Sequence, residues 1–239
     1  MSNAQHESIA DVLMDEILRG QYRAGERLPS ERELALRFDT NRGAVRVALK
    51  KLEQMGIAEV HPGGVRVRPI EEASLDVIGA LLTLDDVPDP DLMEQTLEVM
   101  GTLMRLAAKR ALERATDEQV EHARELLRRT RGRDMSAEAA AQARLELGQL
   151  FMTLSGNLVL RLIGNSLRVQ VMGSGSLPVE IEPPDADALL DRLDDALGAR
   201  RADTAVDVME QLMALNTRHV VETLSAVRGQ GEPQERAAL

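Results

Sequence analysis

Apolar residues recur at spacings of three and four along most of this chain, and the interruptions of that period divide it into elements. Ile9, Val12, Leu13 and Ile17 make one helical stripe, opened by Ser8 as an N-cap and closed by Gly20. After a loop at 25–29, Ser30-Glu31-Arg32-Glu33 has the Ser-x-x-Glu spacing in which each end satisfies an orphan backbone donor, so a second, short helix starts there and ends near Phe38-Asp39. Asn41 caps a third helix that turns Val45, Leu49 and Leu52 inward, and Gly56 stands where a left-handed residue stops it. The period then switches to two. Residues 57–60 and 65–68 flank His61-Pro62-Gly63-Gly64, a hairpin with Val65 and Val67 on one face and Arg66 and Arg68 on the other.

Beyond Pro69 and the acidic Glu71-Glu72, helical periodicity returns, with helices expected near 75–84, 92–115, 117–131, 137–154, 158–172, 186–200 and 203–228. Their punctuation includes Pro88 and Pro90, a Thr116-x-x-Gln119 capping box, Ser155-Gly156-Asn157, the Gly173-Ser174-Gly175-Ser176 break and Pro183-Pro184-Asp185. The organisation read from this is a winged helix-turn-helix over 1–69, a linker at 70–74, an antiparallel all-α helical bundle over 75–228, and a disordered polar tail at 229–239. The fold class is mostly α, with one small β-hairpin wing.

Composition narrows the chemistry. Cysteine is absent, which removes disulfides, thiolate metal sites and cysteine nucleophiles together. Only Tyr22, Phe38 and Phe151 are aromatic, so the cores are expected to be aliphatic and methionine-rich. A nucleophile elbow, a phosphate loop and a cluster of histidines with carboxylates are all missing, so no enzyme is expected. No apolar stretch reaches membrane length and residues 1–10 lack a signal-peptide pattern; a cytoplasmic protein with no membrane partner is expected.

The net charge of −11 looks wrong for a nucleic-acid partner until it is divided: residues 1–70 carry +1, the rest −12, and residues 40–70 alone carry +4. Local positive charge of that kind is what phosphate contact requires. Arg42 and Arg46 lie four apart at the start of the third helix, hence on one face, where guanidinium groups can pair with guanine edges or clamp phosphate. Asn41 can cap the helix or bond to DNA, small Gly43 and Ala44 let the helix end approach DNA closely, and Arg32 can reach the same groove. The bland alternative is a merely solvated basic face. The wing, with Gly63, Gly64 and Arg66, tips the reading toward double-stranded DNA.

The segments Leu28-Pro29-Ser30-Glu31-Arg32-Glu33-Leu34-Ala35, Asn41-Arg42-x-x-Val45-Arg46-x-Ala48-Leu49-x-x-Leu52, Gly56-Ile57 and Pro62-Gly63-Gly64-Val65 resemble the DNA-binding domain of GntR-type regulators. The resemblance implies DNA contact by Arg32, Arg42, Arg46 and the wing tip at Gly63 and Gly64; Asn41 departs from the commoner serine or threonine. A helical bundle behind such a head resembles the FadR branch, nearest to its fatty-acid-responsive members, and implies a homodimer on an inverted-repeat operator with a small effector in the bundle.

The branch's metal-binding majority uses an Asp and three His at positions corresponding here to Arg144, Gly148, Asp191 and Ala214, so neither metal nor cofactor is expected. The branch's effector-binding arginine falls at Met100 and a neighbouring Glu at Met104. A greasy cavity is therefore expected, lined by Met100, Met104, Met152, Leu212 and Met213, with Met93, Leu97, Leu103 and Met209 nearby and Asn157 and Asn216 as polar anchors. Methionines at helical spacing also make plain cores, and Asn157 can equally cap a helix. The effector expected is a fatty acyl-CoA or another apolar acyl ligand; a small carboxylate metabolite, or a dimerising regulator with no effector, are the alternatives.

Overall fold

The computed structural model describes residues 2–130, 136–173, 183 and 185–231, and the chain divides into two compact units, Met1–Asp86 and Val87–Leu239. The first contains helices α1 (Ser2–Leu18), α2 (Glu31–Arg37) and α3 (Arg42–Gln54), strands β1 (Ala58–His61) and β2 (Gly64–Val67), two short 3-10 turns and α4 (Ile78–Leu82). The α1 helix begins upstream of Ser8, the expected cap, because nothing in 2–7 is a glycine or proline that would end it. Gly20 and Gly56 adopt φ of +77°, the left-handed geometry that stops α1 and α3. At Gly56 the space is closed too: a Cβ would lie 3.1 Å from the Glu72 carbonyl oxygen.

The core of this unit joins Ile9, Leu13 and Ile17 of α1 to Leu34 of α2, to Val45, Leu49 and Leu52 of α3, and to Val65 and Val67 of the wing. Each fully buried leucine stabilises the unit by roughly 1.5–3 kcal/mol. Val12, expected on the buried stripe, is 39% exposed, and Ala10 and Glu16 occupy the buried face instead. Glu16 is accommodated because the Arg37 guanidinium donates to both its carboxylate oxygens and so ties α1 to α2.

The wing is an antiparallel pair in the register Ala58↔Val67 to His61↔Gly64, closed by Pro62-Gly63. The 25–28 stretch, expected as loop, lies along its other edge: Leu28 N–H donates to Val65 O, Gly25 N–H to Val67 O, and Val67 N–H to Glu26 O. The compact unit also runs past the expected linker. Ser74 N–H donates to the Met55 carbonyl, and Val77 is buried in the same core.

The second unit is helical throughout its described residues: α5 (Pro90–Leu112), α6 (Asp117–Thr130), α7 (Ala137–Leu154), α8 (Leu158–Gly173), α9 (Asp187–Gly198) and α10 (Ala202–Gly231). Local chemistry sets the starts. Asp89 caps α5 with Pro90 behind it, Thr116 and Gln119 form a capping box on α6, Ser136 caps α7, and Asn157 caps α8. The α5 helix packs on α7, α8 and α10, and α9 on α6 and α10. The core they enclose is built from alanine, leucine and valine around Phe151. The expected tail begins within α10, and its remainder, 232–239, lies outside the described residues, as does most of the glycine-serine break after Gly173.

Candidate nucleic-acid interface and effector cavity

In the first unit the buried face of α3, Ala44, Val45, Ala48, Leu49 and Leu52, leaves Arg42, Gly43, Arg46, Val47 and Lys50 on the solvent side. The first turn of α3 holds no acidic residue, whereas that of α2 holds Glu31 and Glu33. Its partly positive N-terminus is therefore flanked by a cation, Arg42, rather than by a carboxylate. That arrangement is locally unfavourable for the helix and suited to an external anion.

Arg46 is not loose. Its Nε and Nη2 donate to the two carboxylate oxygens of Glu31 at 2.9 and 2.7 Å, a forked pair joining α3 to α2. The guanidinium holds the Glu31 carboxyl below the usual carboxylate range, chiefly through these hydrogen bonds. Glu33 is likewise lowered by its bonds to Ser30, whose backbone N–H donates to it.

Asn41 spends its side-chain oxygen on the cap, accepting from Ala44 N–H at 3.0 Å. Ala44, expected at the DNA surface, is buried at 2% exposure. One turn of helix points it inward beside Val45, and its backbone N–H is the one Asn41 caps. Gly43 is exposed, but the observed reason for its smallness is local, since a Cβ there would come within 3.0 Å of Asn41 Oδ1. Arg32 is exposed on α2. At the wing, Gly63 and Gly64 are exposed at the turn, Gly64 with φ +121°, and Arg66 donates to the Gly25 carbonyl oxygen at 2.6 Å. Sequence reasoning missed Arg27. It is exposed, bridges to Arg66 across the sheet edge, and its Nη2 would be 3.2 Å from a Cβ at Gly63, so it sits against the wing turn. It also missed Val47, 53% exposed beside Arg46.

In the second unit a cavity of about 220 Å³ opens between α5, α6, α7, α9 and α10. Of the expected effector residues, Met104, Leu212, Met213 and Asn216 line it, as does the anticipated neighbour Met209. Asn216 Oδ1 is buried without a hydrogen-bond partner. Met100 and Met152 lie in an adjoining cavity of about 380 Å³, which shares Met104, Arg144 and Gly148 with the first.

Asn157 lines neither cavity. Its side-chain oxygen accepts from Leu160 N–H at 3.1 Å, so it is the cap of α8 and not a ligand anchor. Met93 is plain core, and Leu97 lines a groove along α5 and α10 instead. Residues that sequence reasoning did not place in the effector set include Leu190 and Leu193 of α9 and Phe151 of α7.

Residues 5–67 match the model of the bacterial regulatory proteins of the gntR family, and residues 95–215 match the FCD domain. The chain belongs to the GntR family, with an FCD domain. Similar proteins include the HTH-type transcriptional regulator Rv0494 of Mycobacterium tuberculosis, 36% identical over 48% of this chain and 47% of that protein. Another is the HTH-type transcriptional repressor NanR of Escherichia coli, 33% identical over 48% of this chain and 44% of that one. The GntR chain thus spans about half the length of the curated relatives it matches. A solved structure of Lar, which controls expression of the Listeria monocytogenes agr system, shares the fold: TM-score 0.58 at 17% identity, covering 91% of this chain and 96% of that one. The gntR family model and these relatives describe regulators, not enzymes.

The described FCD residues at the branch's ligand positions do not fit a metal. Of the positions corresponding to the branch's ligands, Arg144 and Gly148 line the cavity, whereas Asp191 and Ala214 do not. Among the described residues no group of three or more His, Cys, Asp or Glu could hold an ion. A guanidinium in the wall repels a cation. No helix of the described residues is long and apolar enough to cross a membrane.

Proposed function

We propose that this GntR chain is a sequence-specific DNA-binding transcription regulator, acting as a homodimer on an inverted-repeat operator in the bacterial cytoplasm, with its DNA affinity controlled by a small effector in the FCD bundle. The observation that carries the DNA reading is the solvent face of α3, where Arg42 and Arg46 stand without a buried role beside a two-stranded wing. Arg42, Arg46 and Val47 enter the major groove, Val47 against a thymine methyl. Arg32 and the amide of Asn41 contact its edge, while Arg27, Gly63, Gly64 and Arg66 bring the wing to the neighbouring backbone. Gly43 keeps the cap of α3 in place.

The dimer places two such helices in successive grooves about 34 Å apart. It is supported by α8, whose Leu158, Val159, Leu162 and Val169 are each more than half exposed. An apolar row of that extent on one helix is unusual for a surface that meets only water. The effector reading is supported by the apolar walls of the first cavity and by the unsatisfied Asn216 oxygen inside it.

A long acyl chain can extend from this cavity into the adjoining one, which shares Met104, Arg144 and Gly148 with it. Arg144, shared by both, favours a ligand with a carboxylate or another anionic end, which keeps a small carboxylate metabolite as the second reading. Two measurements test the whole: selection of bound duplexes from a random pool, expected to return an inverted repeat, and thermal-shift titration with fatty acids and acyl-CoAs of graded length. Recovery of no common motif sinks the DNA reading, and stabilisation by no chain length and no carboxylate sinks the effector reading.

A further inference from the structure

The adjoining cavity differs in kind from the first. Arg144 of α7 and Arg161 and Arg168 of α8 line it, together with polar Gln149, Thr153 and Asn165, and among the described residues no Asp or Glu contributes to its wall. Residues 87–239 hold 18 Lys/Arg against 25 Asp/Glu, a net charge of −7, so a wall whose described residues include several guanidiniums and no carboxylate runs against the character of the whole unit.

Arg161 and Arg168 are seven residues apart, about two helical turns, and so share a face of α8. Gly164 lies between them on that face, where a Cβ would press to 3.0 Å from Met152 Cε. Among the described residues neither Arg161 nor Arg168 has a side-chain hydrogen bond or ion pair, and Arg168 Nε is buried with no partner at all. A buried donor without an acceptor is costly. An oxyanion supplies the missing acceptor.

We infer that Arg161 and Arg168, with Arg144 at the edge shared with the apolar cavity, form a binding site for a phosphate-bearing anion that adjoins that cavity. The planar guanidinium fork matches the geometry of phosphate oxygens, and several forks around about 380 Å³ suit a group with two or more negative charges. This deepens the effector reading and rests on it. The phosphate arrives either as a free metabolite or as the head of an amphipathic molecule whose apolar part occupies the cavity walled by Met209, Leu212 and Met213.

The test is isothermal titration of the full chain with three probes: inorganic pyrophosphate, a free fatty acid of eight carbons, and the CoA thioester of that acid. Each is run against wild type, the Arg161→Gln/Arg168→Gln double variant, Arg168→Lys, and Arg42→Ala as a control for phosphate held by the basic face of the head. Saturable pyrophosphate binding that falls at least about tenfold in the double variant, less in Arg168→Lys, and not at all in Arg42→Ala is the expected result. A thioester that binds more tightly than both other probes and weakens in the double variant identifies the amphipathic source. Pyrophosphate alone responding identifies the free metabolite.

Pyrophosphate and thioester binding both indifferent to the α8 arginines overturns the site, and the effector reading survives that result if the fatty acid still binds. If none of the three probes binds, the site is overturned too; the effector reading then falls only if the wider fatty-acid and carboxylate series also fails. Circular dichroism confirms that each variant is folded, and Arg168→Lys retains the charge should the double variant unfold.

Discussion

Replacing Arg42 with alanine separates the roles that this side chain can play. Arg42 opens α3, is exposed, and places a positive charge at the helix end that carries partial positive charge itself. Helix electrostatics alone make such a cation unfavourable by about 0.3–1 kcal/mol. The substitution is therefore expected to leave the melting temperature of the head unchanged or slightly raised. DNA binding moves the other way. A bidentate contact to a base edge contributes about 1–3 kcal/mol, or roughly 5- to 150-fold in affinity per half-site.

A dimer that engages two half-sites loses that amount twice. If Arg42 instead holds only phosphate, affinity falls on every duplex alike, and the slope of log K against log salt flattens by about 0.9 per half-site. Fluorescence anisotropy on the selected operator and a scrambled duplex, repeated over a salt series, distinguishes the two. Unchanged affinity on both duplexes at every salt concentration refutes the placement of α3 in the groove.

Glu31→Gln is expected to raise affinity for scrambled DNA, by removing a carboxylate from the phosphate-facing side, and to lower the preference for operator, because Arg46 loses the fork that aims it; the ratio of the two dissociation constants is the readout. Asn41→Ala is expected to destabilise the head by about 1 kcal/mol through loss of the α3 cap, with Asn41→Ser recovering most of it, as measured by urea denaturation. Glu31 and Glu33 are both held below the 4.5 of an unperturbed glutamate, so the stability they contribute is present above that value and is lost as pH falls through their lowered ones. Thermal melts across that acid range are expected to show a loss that is smaller in the Glu31→Gln/Glu33→Gln variant. Asn216→Leu is expected to stabilise the effector-free bundle, by removing a buried unsatisfied oxygen, while weakening the effector's hold; a lowered melting temperature of the free protein counts against that account.

The parts of this protein legible in its sequence are those that depend on neighbours a few residues away. Ser30 with Glu33, Thr116 with Gln119, the cap at Asn41 and the left-handed stops at Gly20 and Gly56 all act within one turn of backbone, so residue type and spacing suffice to place them. The switch of period at residue 57 announced the wing for the same reason, and the helices of the bundle follow from periodicity and punctuation. The solvent face of α3 also follows, because a buried row at Val45, Leu49 and Leu52 leaves Arg42 and Arg46 only one direction to point.

What a side chain meets on another element is a different kind of fact. Period says which face is buried but not what it is buried against. Only packing across the chain brought Glu31 to Arg46, laid Arg27 against the wing turn, drew Val77 into the head core and left Val12 outside it. The two asparagines make the same point. Asn157 and Asn216 are equivalent as residue types, yet one satisfies its own helix start while the side-chain oxygen of the other sits unpaired in a cavity walled by five helices. The α8 arginines, unremarkable along the chain, converge on one hollow because α7 and α8 pack there, and a hollow exists only where several helices fail to fill the space between them.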